Sequence, residues 1–225
     1  MRVAGLDVYK GRWVGVLLDD GMFAEARLFD RAVEALEAWS DISVLAIDIP
    51  IGMPDLSTSY RRAADAAARA FIRPAGSSVF STPPREVLVA PNYQAALVVS
   101  RALNRGGISA QSYALGDKIL EIDELAGRYP RVHEVHPEVS FRAMSGGTVL
   151  GRKKSWNGLM QRWRLLSSEG IELPEAAGPA GAAAPDDVLD AAAAAWSANR
   201  IANGVSETLP KPPVVVAGRQ IAIHY

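Results

Sequence analysis

An α/β fold is predicted by three observations. The chain opens with three short strands joined by tight turns, a near-continuous apolar strand follows the first helix, and a long alanine-rich helix stands near the C-terminus. Arg2 to Leu6 is a short apolar run ending at Gly5-Leu6-Asp7. Lys10-Gly11 marks a turn, Trp13 to Leu18 returns, and Asp19-Asp20-Gly21 is a hairpin signal leading into Met22 to Phe29. These elements make an antiparallel meander. From Asp30 onward, Ala32, Val33, Leu36 and Trp39 recur at helix spacing. Ser43 to Ile49 is the next strand, broken by Pro50. A strand that is apolar on both faces and follows a helix belongs in the buried, parallel part of a sheet.

The middle of the chain changes character. Helices are expected over Tyr60–Phe71, Tyr93–Asn104 and Tyr113–Leu125, with a Gly/Ser/Pro loop over Arg73–Pro84. Residues 60–128 therefore form a mostly helical insertion or cap within one domain spanning 1–225. Its cations, Arg61, Arg62, Arg69, Arg73, Arg85, Arg101, Arg105 and Lys118, are expected on a solvated helical surface. Val132 to His136 is a further strand. Pro137 to Met144 is a short helix with Pro in its first turn and Gly146-Gly147 beyond its end. Ser155–Ser167 is a helix, Leu173–Pro185 a linker, Pro185–Asn203 a strong helix, and Val214–Ile223 a terminal strand or hairpin. No internal repeat is present.

Composition narrows the class. An apolar share of 49% over 225 residues supports a sizeable core and argues against wholesale disorder. The absence of cysteine removes disulfides, zinc–thiolate sites and cysteine nucleophiles, and fits a reducing, cytoplasmic setting. The first residues meet a charge too early for a signal-peptide core. Ala191–Ala195 is too short to span a membrane. A net charge of −1 gives no molecule-wide attraction to nucleic acid, so any such attraction must come from a local patch.

Four groups of acids can carry chemistry. Asp7 ends the first strand, although Asp is also common as a turn residue. Asp48 lies among Ala46, Ile47 and Ile49, so its carboxylate is expected to be partly buried and to need a partner. Glu134 and His136 alternate with His133 and Val135, which puts them on one strand face. The direction of Glu138, beyond Pro137, is open. Asp186 and Asp187 open the last long helix, where the helix dipole stabilises negative charge by roughly 0.3–1 kcal/mol. Asp190, a turn further on, meets only Ala193 and Ala194 at i+3 and i+4, so no cation on its own helix pairs with it. Asp187 and Asp190 share a helix face, and a bound cation is the simplest relief of their repulsion.

Hard carboxylate oxygens suit Mg2+ or Mn2+ better than zinc. No paired-histidine zinc motif, phosphate-binding Gly-rich loop, dinucleotide fingerprint or Gly-x-Ser-x-Gly elbow occurs. A basic stretch does occur. From Arg142 to Ser168 there is no acid, and Arg142, Arg152, Lys153, Lys154, Arg162 and Arg164 are interleaved with Trp156 and Trp163. Such a mixture can grip phosphate and stack bases. It is equally the pattern of an amphipathic helix with Leu159, Trp163 and Leu166 inward and its basic residues outward.

Taken in order, Gly5-Leu6-Asp7, Ala46 to Pro54, Glu134-Val135-His136-Pro137-Glu138-Val139-Ser140-Phe141 and Asp186-Asp187-Val188-Leu189-Asp190-Ala191 resemble the DUF429 family, regarded as predicted RNase H-like nucleases. The resemblance extends over nearly the whole chain through Arg62, Asp65, Arg69, Ser78-Val79-Phe80, Gln111, Lys118-Ile119, Asp123, Lys154, Gly158, Arg162 and Leu165-Leu166. It implies an RNase H-like fold: a mixed five-stranded sheet, its first three strands antiparallel, with helices on both faces. In resolvase-type members of that fold, acids come from strand one, strand four and the last helix. Asp7, Asp48 and the pair Asp187 and Asp190 match those places, and Glu134 matches a strand-five acid used by some members.

The function implied is phosphodiester hydrolysis of DNA or RNA, with one or two Mg2+ or Mn2+ ions on Asp7, Asp48, Asp187 and Asp190. Lys118, Lys154 and Arg162 would hold the substrate. The alternative is a non-catalytic module on the same fold that binds nucleic acid or protein. A phosphotransferase of the related actin-like fold fits poorly, because it normally needs two such domains. The sequence sets no oligomeric state, and a homodimer is compatible with it.

Overall fold

A computed structural model describes residues 1–54, 61–103, 106–216 and 218–225. The meander is β1 (Arg2–Tyr9), β2 (Arg12–Asp19) and β3 (Met22–Phe29), antiparallel throughout. Its two turns carry the positive-φ pairs Lys10-Gly11 and Asp20-Gly21, the conformation that two-residue hairpins require. Helix α1 (Ala32–Ala38) leads into β4 (Val44–Ile47), which runs parallel to β1. Strand β5 (Val132–Glu134) runs parallel to β4. The sheet order β3-β2-β1-β4-β5 is the RNase H-like topology.

Side-chain alternation explains how the two faces are covered. Val3 on β1, Val14, Val16 and Leu18 on β2, and Val44 and Ala46 on β4 pack together with the long helix α9 (Pro185–Ala202). Ala4 and Leu6, Trp13 and Leu17, and Leu45 and Ile47 point the other way. They pack with Ala32, Ala35 and Leu36 of α1 and with Ile119, Ile122 and Leu125 of α6 (Gly116–Arg128). Helices thus cover both faces, as the family resemblance implied.

The α9 face is held at unusually short range. A Cβ on Gly5 would lie 2.1 Å from the Ala195 nitrogen, 2.3 Å from the Ala191 oxygen and 2.6 Å from the Ala194 carbonyl carbon. Ala191 to Ala195 are wholly buried. Glycine on the strand and alanine on the helix let the two backbones touch, and no larger pair would fit.

Between β4 and β5 the described residues form α2 (Ala63–Phe71), the one-turn α3 (Arg85–Leu88), α4 (Tyr93–Ala102), α5 (Ala110–Ala114) and α6. Tyr60, Asn104 and Arg105 lie outside the described residues. The helix expected over Tyr113–Leu125 is two helices, broken at Leu115: Ser109 caps α5 by accepting the Ser112 N–H at 3.0 Å, and α6 starts afresh at Gly116. A solvated surface for all the cations of this segment is also corrected. Arg62 is buried, because it serves as the partner of buried acids described below.

Beyond β5 come α7 (Pro137–Met144) and α8 (Trp156–Ser168), capped by Ser155. The tail forms a two-stranded hairpin of β6 (Thr208–Val216) and β7 (Arg219–His224). Its first strand starts earlier than expected and runs through Pro210, Pro212 and Pro213. A two-stranded ribbon tolerates prolines on its outer edge, and the pairing register shifts between Leu209 and Val214. Val135 makes an isolated bridge to His224, tying the hairpin to the end of β5. No helix among the described residues is long and apolar enough to cross a membrane.

The Gly5 contact yields a direct test. Gly5→Ala should lose about 3 kcal/mol or more in urea unfolding, because the methyl group meets backbone that cannot step aside. Gly127→Ala, on an open surface of α6 with nothing within 4 Å, should be neutral or gain up to about 1 kcal/mol.

Candidate metal centre

The register explains why two acids meet. Leu6 of β1 pairs with Ile47 of β4, and the ladder continues one step further as the Asp48 N–H donates to the Leu6 oxygen at 3.0 Å. Asp7 and Asp48 therefore stand side by side. Asp7 is two residues on from Gly5 and Asp48 two on from Ala46, so both follow the parity of the α9 face. Asp48 itself lies one residue past the end of β4 rather than within it. Asp190 immediately precedes Ala191, whose oxygen abuts Gly5. The close strand–helix contact thus brings the third acid to the first two.

Carboxylate oxygens of Asp7, Asp48 and Asp190 all lie within 4.8 Å of one another, the spacing at which one ion could be held by all three. Asp7 and Asp190 are buried and Asp48 is half-buried. The triad opens onto a cleft of about 690 Å³ that is also lined by Glu134, His136, Glu138, Lys153, Lys154, Asp186 and Asp187.

The electrostatics are those of a site short of positive charge. Burial, and then the charges of Asp48 and Asp190, push the Asp7 carboxyl well above the usual range. Burial pushes Asp48 up to about 7, opposed by Lys153 and aided by Glu138 and Asp187. Burial likewise pushes Asp190 up to about 7, again against Lys153. Asp7 Oδ1 accepts the Val8 N–H at 2.7 Å. Asp190 Oδ1 is buried with no hydrogen-bond partner among the described residues, and so is His136 Nδ1. Burial lowers the pKa of His136. Hard oxygen donors, mutual repulsion and an unsatisfied buried carboxylate oxygen together fit a divalent cation.

Lys153 is the residue that sequence reasoning missed as a site member. Its Nζ donates to Asp190 Oδ2 at 2.6 Å and lies 3.9 Å from Asp186 Oδ2. The cation that pairs with Asp190 is thus not on its own helix. The partner comes from the loop before α8, out of reach of any i+3 or i+4 rule.

That loop is clamped. A Cβ on Gly158 would lie 2.1 Å from the Arg152 oxygen, so only glycine admits the turn. Ser155 Oγ donates to the Arg152 oxygen at 2.7 Å. Arg162 Nη1 donates to the oxygens of Gly151 and Gly158, each at 2.9 Å, and Nη2 meets both Glu138 oxygens at 2.7 and 2.8 Å.

Several expected site residues are placed elsewhere or given other work. Arg162 lines the cleft but is 2% exposed, and its donors are engaged by Glu138 and the loop carbonyls. Lys118 is outside the cleft: its ammonium lies over the Trp13 ring and bonds Glu121 at 2.9 Å and the Asp30 oxygen at 3.2 Å. Asp187 lines the cleft but is not one of the three converging acids. It is half-buried in the first turn of α9, a turn before Asp190, and burial and Asp186 raise its pKa.

Glu134 pairs in register with Ile47, whose side chain faces away from α9, and so points away from the triad. It accepts the Ile51 N–H at 2.7 Å and forms an ion pair with Arg62, which also bonds Asp65 at 2.8 Å and Thr82 at 3.0 Å. Burial raises Glu134 to about 7 despite Arg62. His133 packs edge-on against His224, with ring centroids 5.0 Å apart. Lys154 is exposed on the cleft rim, while Trp163 and Leu159 pack against the α9-side core and Trp156 is 75% exposed.

An RNase H-like sheet with three acids at the end of its first strand, just past its fourth and on its last helix defines a class of protein. The chain belongs to the DUF429 family, described as a protein of unknown function, whose model matches residues 5–215. No curated protein and no solved structure matches it.

The raised carboxyls predict a pH-dependent mutational effect. A group whose folded pKa is raised stays protonated in the folded state after the unfolded chain has released its proton. Its stability penalty therefore grows between about pH 4 and about pH 7 as pH rises. In chelator, Asp48→Asn should raise the melting temperature most at about pH 8, less at about pH 5, and little at about pH 4. Half-buried His133, His136 and His224, whose pKa values are lowered, have the opposite sign below about pH 6.5, which is why the difference between wild type and variant is the quantity to follow.

Proposed function

We propose that this protein is a divalent-metal-dependent phosphodiesterase acting on nucleic acid, with Mg2+ or Mn2+ held by Asp7, Asp48 and Asp190. The observation that carries the reading is the convergence of three carboxylates, buried or half-buried, on a cleft, with Asp190 Oδ1 unsatisfied. In such a site a divalent ion supplies charge neutralisation and an acidified water. The chain's own residues do the rest. Asp7 and Asp48 are fixed by adjacent strands, and Asp190 by the contact of α9 with Gly5, so the ligands are preorganised on rigid elements. Lys153 holds Asp190 in place through Oδ2.

Around this acidic floor the rim is basic. Exposed Arg152 and Lys154 line the cleft, and both suit contacts to phosphate oxygens. Trp156, two residues further on, offers an open aromatic face for an unpaired base. A basic rim above an acidic floor draws a polyanion in and leaves its backbone above the ligand cluster, an arrangement suited to hydrolysis.

Purified protein with Mn2+ or Mg2+ should cleave at least one member of a panel of labelled single-stranded, duplex and branched DNA and RNA. Asp7→Asn should slow that cleavage about a hundredfold or more, roughly 3 kcal/mol of transition-state stabilisation. Equal activity in wild type and Asp7→Asn would remove the reading. Metal-independent binding that survives Asp7→Asn, with no cleavage, would support a non-catalytic binding module in its place.

A further inference from the structure

We infer that Lys153 is a built-in cation that limits this site to one divalent ion, its ammonium standing where a second ion would reach Asp190. The inference deepens the metal-dependent reading above and rests on it.

The two oxygens of Asp190 are used differently. Oδ2 accepts the Lys153 ammonium at 2.6 Å. Oδ1 is buried and has no partner among the described residues, in a residue that is 2% exposed and lines the cleft. One oxygen is thus taken by a cation that the chain supplies, and the other is left for a cation that it does not. With Oδ2 so occupied, Asp190 does not bridge two divalent ions through its two oxygens.

Charge counting agrees. The three carboxylates of the triad set against one ammonium leave two negative charges, which one divalent ion neutralises. Of the other acids nearby, Asp186 shares the same ammonium more distantly, at 3.9 Å. Glu138 is engaged by Arg162 through both its oxygens. Asp186 and Asp187 lie in the first turn of α9, where the helix dipole favours negative charge. A second divalent ion beside Lys153 would bring an excess of positive charge into a cleft walled by buried groups, where repulsion is poorly screened.

Lys153 is also anchored where it stands. The Arg152 oxygen before it is held against Gly158 and bonded by Ser155, and the Gly151 oxygen is held by Arg162. Together these contacts restrain the backbone on the N-terminal side of Lys153. A free ion leaves the site when chelated, but this ammonium stays.

The test is Mn2+ binding by the metal alone, counted per chain by calorimetry and by the paramagnetic signal of free Mn2+. Wild type should bind one ion and Lys153→Arg one. Lys153→Met should bind two, with the first bound about tenfold more tightly or better, because a neighbouring positive charge has gone. Lys153→Gln, which keeps a donor but loses the charge, should match Lys153→Met and carries the test if the Met variant does not fold. Two ions on wild type, or one ion with unchanged affinity on both neutral variants, would overturn the inference. One ion on wild type and two on the variants with no nucleic acid cleaved would uphold the inference and remove the nuclease reading. No Mn2+ bound by wild type would remove both.

Discussion

The contact between Gly5 and the alanines at 191, 194 and 195 is the constraint on which the rest of the structure depends. Strand and helix backbones touch there, with no room for a Cβ on the strand. The distance between β1 and α9 is therefore set by main chain, which cannot relax by changing rotamers as side-chain packing does. Asp7 lies two residues along the strand from Gly5 on the same face, and Asp190 one residue along the helix from Ala191. Whatever fixes the contact fixes the separation of those two acids. Asp48 follows from the parallel register of β1 and β4, in which Leu6 stands opposite Ile47. Three acids distant in sequence are thus brought together by backbone geometry.

Such a cluster works against the fold that builds it. Buried carboxylates that repel one another are stable only with a proton, a cation or a partner, and this protein uses a partner for part of the charge. Lys153 takes one oxygen of Asp190. A second acidic group beside the cleft, Glu134 with Asp65, is treated differently. The buried Arg62 engages both and bonds the Ile51 oxygen, so that charge is closed within the protein. The contrast separates the two. Around Arg62 the acids have partners, whereas in the triad Asp190 Oδ1 has none among the described residues. Both groups line the one cleft, and the triad is the one left short of positive charge.

Much of this was legible in the sequence because it rests on local rules. The hairpin turns at Lys10-Gly11 and Asp20-Gly21, the apolar run of β4, Pro137 opening α7 and Pro185 opening α9 all have signals within a few residues. Strand parity even places Asp7 and Asp48 on one face once the register is known. What was not legible depends on contacts between distant segments. No spacing rule links Lys153 to Asp190, 37 residues away, or Arg62 to Glu134, 72 residues away. Arg162 looked like a phosphate ligand because charge on a helix is usually solvated, yet it is buried against Glu138 and two loop carbonyls. Glu134 and His136 looked like neighbours on a strand face, but β5 ends at Glu134 and His136 already stands at the N-cap position of α7. The prolines of β6 hid a strand whose outer edge needs no donors.

The central claim is that backbone packing gathers Asp7, Asp48 and Asp190 into one cation site. A crystal of the protein soaked in Mn2+, with anomalous scattering used to locate the metal, tests it most directly. A peak is expected within about 2–2.5 Å of an oxygen from each of the three aspartates, with Lys153 still on Asp190 Oδ2. A peak held by Asp186 and Asp187 alone, or no peak beside an unchanged triad, would contradict it.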